Sequence, residues 1–159
     1  MATIQQQNGI CVEGLRIEWY PCVTARTWYQ GEFVYITATG GRIQECATDA
    51  TTTIGMAASD NAASAVDTMM PVYVCDPNTR YEVNCYHGTP ANATIMNSMV
   101  GKSYNMFAAT VSSYLDKEDQ DVPFFHVEKL SGKDEENDLF GRLIVTITPE
   151  VAQLGKSID

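Results

Sequence analysis

Cys85 and His87 stand two residues apart, a spacing that places both side chains on one face of an extended strand. A thiol beside an imidazole is the pair used in nucleophilic cysteine catalysis, and it is also half of a four-ligand metal site. The rest of the chain supports neither reading. There is one other histidine, His126, no Cys-x-x-Cys pair, and no local signature such as Gly-x-Ser-x-Gly. A buried cysteine next to a turn histidine is the plainer account. Gly101-Lys102-Ser103 resembles the end of a phosphate-binding loop, but that loop needs a glycine five residues before the second one, where Met96 stands. The backbone nest that would cradle a phosphate is therefore missing. Two acidic runs, 116–121 and 134–138, carry spaced carboxylates without the alternation and terminal bidentate Glu of a calcium loop, so they read as solvated loops. Asn92-Ala93-Thr94 fits the glycosylation acceptor pattern and is read as a chance match. The expectation is a non-enzymatic protein with no catalytic, cofactor-binding or metal-ligating residues.

The elements that must position any functional surface are strands. Leu15-Arg16-Ile17-Glu18-Trp19 alternates apolar and charged residues, the pattern of a half-buried strand that Pro21 ends. Residues 27–37 are rich in aromatic and β-branched side chains, Gly40-Gly41 supplies a tight turn, and 42–46 return, which predicts a hairpin. Residues 71–75 and 80–86 read as a second hairpin around Asp76-Pro77-Asn78-Thr79. Further strands are expected around Tyr104–Phe107, over 124–130 and over 143–147. The Ala-rich stretch 57–67 is either a short helix capped by Asp60 or a small-residue loop, and 91–99 is open between one helical turn and two. The fold class is all-β, a single-domain β-barrel or β-sandwich with long loops and at most one short helix. Residues 1–12 read as a flexible N-terminal arm, polar and Gln-rich to Gly9; 13–150 form the domain, and 151–159 form a C-terminal tail.

The 159 residues carry 20 acidic against 10 basic side chains, a net charge of −10. That charge opposes non-specific binding to nucleic acid and to anionic membrane, and basic residues do not cluster with aromatics. No apolar run approaches the ~20 residues of a membrane-spanning helix. The start, with neither a basic nor an apolar leader region, predicts synthesis in a reducing cytoplasm. Cys11, Cys22, Cys46, Cys75 and Cys85 are accordingly expected as mostly free, buried thiols, although Cys75 and Cys85 flank a turn and could face each other.

Residues 31–104 resemble the β-rich capsid decoration, or cement, proteins of tailed bacteriophages. The resemblance is carried by Gly31-Glu32-Phe33-Val34, Gly41 to Ala47 (GRIQECA), Thr53-Ile54-Gly55-Met56-Ala57, Val72-Tyr73-Val74-Cys75 and Met99 to Tyr104 (MVGKSY). Gly141-Arg142-Leu143-Ile144-Val145 resembles the family's closing strand, and together these cover about half the chain. The cysteine-rich stretches and long acidic loops are not part of that pattern. The resemblance implies a virion structural protein, made in the host cytoplasm, that binds the outer capsid surface as a homo-oligomer, typically a trimer, and stabilises the shell. Its partners would be the major capsid protein and itself, without nucleic acid, membrane or cofactor. Ile4, Ile10, Trp19, Trp28, Tyr29 and Phe124 are the apolar side chains expected at the capsid or subunit interface. The alternative readings are a tail, fibre-base or head–tail connector domain, and a small β-barrel that binds a carbohydrate or another ligand through Trp19, Trp28 and Tyr29.

Overall fold

A computed structural model of the chain describes residues 1–4, 9–110 and 112–153. In chain order the strands are β1 (Ile10–Glu13), β2 (Ile17–Pro21), β3 (Thr27–Trp28), β4 (Phe33–Ile36), β5 (Ile43–Glu45), β6 (Gly55–Ala57) and β7 (Asn61–Ala62). They continue with β8 (Met69–Val74), β9 (Arg80–Tyr86), β10 (Ser103–Ala108), β11 (Ser113–Asp116), β12 (Phe125–Leu130) and β13 (Arg142–Ile147). The protein is all-β, and among the described residues its helical content is two 3₁₀ turns, Pro90–Asn92 and Asn97–Met99.

The second half of the chain closes a five-stranded barrel. Pairing runs β9–β11–β10–β12–β13 and returns to β9, with β1 added beside the start of β9. Only β9–β11 is parallel among these pairs. Closure leaves no bare edge, which suits the continuously apolar Leu143-Ile144-Val145 of β13, paired on both sides. Two outer positions of β9 are buried as well: Glu82 accepts bonds from Ser131 Oγ at 2.9 Å and Lys133 Nζ at 3.0 Å, and Asn84 Nδ2 donates to Phe140 O at 2.6 Å.

The first half forms a curled sheet in the order β2–β8–β6–β4–β5. Alternation along β4 explains how it joins the barrel. Phe33 turns one way, its ring edge-on to Tyr81, Phe124 and Phe125 at 5.1, 5.5 and 5.2 Å, within the large core shared with the barrel. Val34 turns the other way, into a second core with Cys22, Trp28, Ile43, Ile54, Met70, Val72 and Val74. Gly55, at φ 150°, runs against β8 so closely that a Cβ there would lie 2.1 Å from Tyr73 O. The β4–β5 hairpin turns as expected through Gly40 and Gly41, at φ 72° and 64°.

Three local expectations change. β8 and β9 are strands, but they do not pair. β8 is bonded by β2 and β6, and β9 by β1, β11 and β13, so the turn at 76–79 passes the chain between sheets. The Ala-rich stretch is not a helix: Met56 and Ala57 pair with Tyr73 and Val72, and Asn61-Ala62 pairs with Trp28 and Thr27. Within the expected N-terminal arm, Ile10 to Val12 lie in β1. Thr3 bridges Leu139, and Ala2 N donates to Asp138 Oδ1 at 2.8 Å. Gln5, Gln6 and Gln7 lie outside the described residues. Of the expected tail, Val151 is buried and Gln153 N donates to Thr53 O at 2.8 Å, while 154–159 lie outside the described residues.

Candidate functional site

The Cys85 thiol is buried in the barrel core, 3.9 Å from the Tyr86 and Thr94 carbonyls, and burial pushes its pKa up to about 12. A nucleophile needs the thiolate, which this environment opposes. His87 follows the end of β9; its Nδ1 accepts from Thr89 N at 2.9 Å and lies 3.5 Å from Glu118. His126 Nδ1 lies 3.2 Å from Ser103 Oγ. All five cysteines are buried and unpaired, Cys75 and Cys85 included.

The acidic runs are folded structures held by their own carboxylates. Asp116 and Asp119 accept from Glu118 N at 3.0 Å and Asp121 N at 2.9 Å. Asp134 is clasped by Arg142 through Nε at 2.7 Å and Nη2 at 2.5 Å, which holds its carboxyl below the usual range. Glu136 takes Asn97 N and Nδ2 at 3.0 and 2.8 Å. Among the described residues no group of three or more His, Cys, Asp or Glu side chains could hold a metal ion.

The six apolar residues expected at an interface divide sharply. Trp28 and Phe124 belong to the two cores, 1% and 0% exposed, so neither ring reaches the surface. The reason is local: Trp28 sits in β3 under the curled sheet, and Phe124 packs edge-on to Phe33 and Phe125. Ile4 is half-buried beside Leu139, whose carbonyl accepts from Ile4 N at 2.8 Å. Ile10, Tyr29 and Trp19 are exposed, Trp19 most at 60%.

Trp19 has company that the sequence did not reveal. In β2, Ile17, Trp19 and Pro21 pair directly with Tyr73, Pro71 and Met69 of β8. Directly opposed residues share a face, so these six side chains form one ladder without a charge. Ile17 and Met69 are 45% and 50% exposed, and the ladder runs into a groove lined by Tyr73, Met56, Ile10 and Cys11. The intervening residues take the opposite face: Arg16 pairs with Glu18, and Tyr20 Oη donates to Glu18 Oε2 at 2.7 Å. Alternation thus marks the strand in the sequence, but with the apolar set outward. The partners Met69, Pro71 and Tyr73 become visible only once β8 is known to lie beside β2.

No protein-family model matches this chain, and no curated protein matches its sequence.

Proposed function

We propose that the chain is a structural protein of a phage virion. In this reading it binds the outer face of an icosahedral capsid and stabilises the shell as a homo-oligomer. The observation that carries the reading is the uncharged ladder Ile17–Trp19–Pro21/Met69–Pro71–Tyr73, of which Ile17, Trp19 and Met69 are exposed, on a chain of net charge −10. An acidic surface keeps copies soluble and apart, whereas a contiguous apolar face with an outward tryptophan favours a specific protein contact. The resemblance of residues 31–104 to capsid decoration proteins points to the shell as that contact. The Phe33 joint and the closed barrel supply the rigidity that a shell-stabilising part needs.

Co-sedimentation of the purified protein with undecorated phage heads tests the reading. Saturable binding at a fixed copy number per capsomer is expected, with affinity reduced at least tenfold by Trp19→Glu while the thermal unfolding midpoint holds. Absence of binding at micromolar protein, or wild-type binding by the variant, would overturn it.

A further inference from the structure

Val74 N donates to Arg16 O at 3.0 Å, and Cys22 N donates to Thr68 O at 2.9 Å. In an antiparallel ladder the bonded pairs alternate, so Arg16, Glu18, Tyr20 and Cys22 face β8, while Ile17 and Trp19 point their N–H and C=O groups away from it. β2 is the terminal strand of its sheet. Its outer side therefore offers main-chain bonding groups next to an apolar face. Neither a bulge nor a lysine blunts it between Ile17 and Trp19; one end is limited by Pro21, which has no N–H, and by β5, whose Ile43 O accepts from Val23 N on the same side.

We propose that the occupant of this edge is β2 of a second copy of the chain, antiparallel and centred on Ile17. Residue chemistry selects that register. Centred on Glu18, the strand would place two Glu18 carboxylates opposite each other. Centred on Trp19, it would set Ile17 against Pro21 and lose two ladder bonds. Centred on Ile17, each Arg16 lies opposite the other copy's Glu18 and Ile17 meets Ile17; the exposed Leu15, which precedes β2 in a turn closed by Arg16 N donating to Gly14 O at 2.6 Å, must straighten to meet Trp19. The charged side chains collect on one face as two reciprocal pairs and the apolar ones on the other. The contact is isologous, joining two five-stranded sheets across a two-fold axis. Complementary charge at the centre offsets the general repulsion between two acidic copies. The inference deepens the homo-oligomer half of the reading above and is independent of the shell.

Sedimentation equilibrium of the full chain, without capsids, tests it using Arg16→Glu and Glu18→Arg. The wild type is expected to dimerise. Each single variant faces like charge across the two-fold axis and is expected to dissociate at least tenfold more readily, while the monomer stays folded because both side chains are partly exposed. Mixing the two variants places carboxylates opposite guanidiniums, and a heterodimer with at least wild-type affinity is expected. A monomeric or three-fold wild type would overturn the proposal, as would dimers indifferent to both substitutions or a mixture that does not associate. A dimer that ignores phage heads removes the shell reading and leaves this one standing; a monomer that binds heads does the reverse.

Discussion

The two ends of the five-stranded sheet treat the same problem in opposite ways. At the β5 end the chain leaving β2 folds across: Cys22 bridges Ile43, Val23 N donates to Ile43 O at 3.1 Å, and Trp28 fills the space beneath. The edge is covered by the protein's own backbone and its tryptophan is spent on the core. Along Ile17–Trp19, before that crossing, β2 is paired only with β8 among the described residues, and the tryptophan nine residues before Trp28 stands in solvent. A fold that covers one edge and closes a whole barrel beside it has the means to cover the other. Leaving Trp19 and Ile17 outward is therefore informative: tertiary packing accounts for Trp28 and does not account for Trp19, which is where the proposed contact is placed.

Substitution at the two tryptophans separates the ends most widely. Trp28→Ala is expected to cost about 3–5 kcal/mol by emptying a closed core site, read by denaturant unfolding. Trp19→Ala is expected to stay within about 0.5 kcal/mol of wild type in the same experiment while losing association. If Trp19→Ala destabilised as much as Trp28→Ala, the distinction between the ends would collapse. Gly55→Ala, in the middle of the sheet, is expected to cost on the order of 3 kcal/mol through its φ and the Tyr73 carbonyl, a loss shared by both ends.

The residue just before β4 carries a buried carboxylate whose titration is displaced upward. Glu32 is buried, and burial, with Glu45 and Asp60 adding repulsion, pushes its pKa up to about 7 against the opposing hydrogen bond from Tyr29 N at 2.6 Å. Unfolded, the group ionises near 4.5, so between that pH and about 7 the folded chain holds the extra proton. Stability therefore falls as pH rises through this window, by about 3 kcal/mol, and the loss is complete above it. Glu32→Gln is expected to flatten that slope and raise the unfolding midpoint at pH 8; an unchanged slope would place the titration elsewhere. Ile17→Pro gives a small effect on stability. It removes an N–H that faces away from β8, so the melting temperature is expected to shift by no more than a few degrees while self-association is lost.

Much of the fold was legible because it is written locally. The Gly40-Gly41 turn and the β-branched run of β13 were readable as hairpin and central strand. What failed was pairing, which is non-local. The turn chemistry of 76–79 is real, yet it says nothing about whether the flanking strands bond each other, and both had their edges filled by other strands. Helix propensity in 57–67 lost to sheet hydrogen bonds that alanine makes as readily as any residue. For the surface, residue type did not separate Trp19 from Trp28 or Tyr29 from Phe124, because burial follows from where β3 and β4 lie in the fold. The Leu15–Trp19 alternation identified a strand with two unlike faces; which face meets solvent depends on β8.

Amide hydrogen exchange along β2 tests the central claim most directly. Glu18 and Tyr20 face β8, whereas Ile17 and Trp19 face outward. In the assembled protein, slow exchange is expected at all four amides. On dilution, or in Arg16→Glu, Ile17 and Trp19 are expected to exchange at least tenfold faster while Glu18 and Tyr20 stay protected. Rapid exchange at Ile17 and Trp19 at every concentration, with oligomer-dependent protection at another edge instead, would contradict the account.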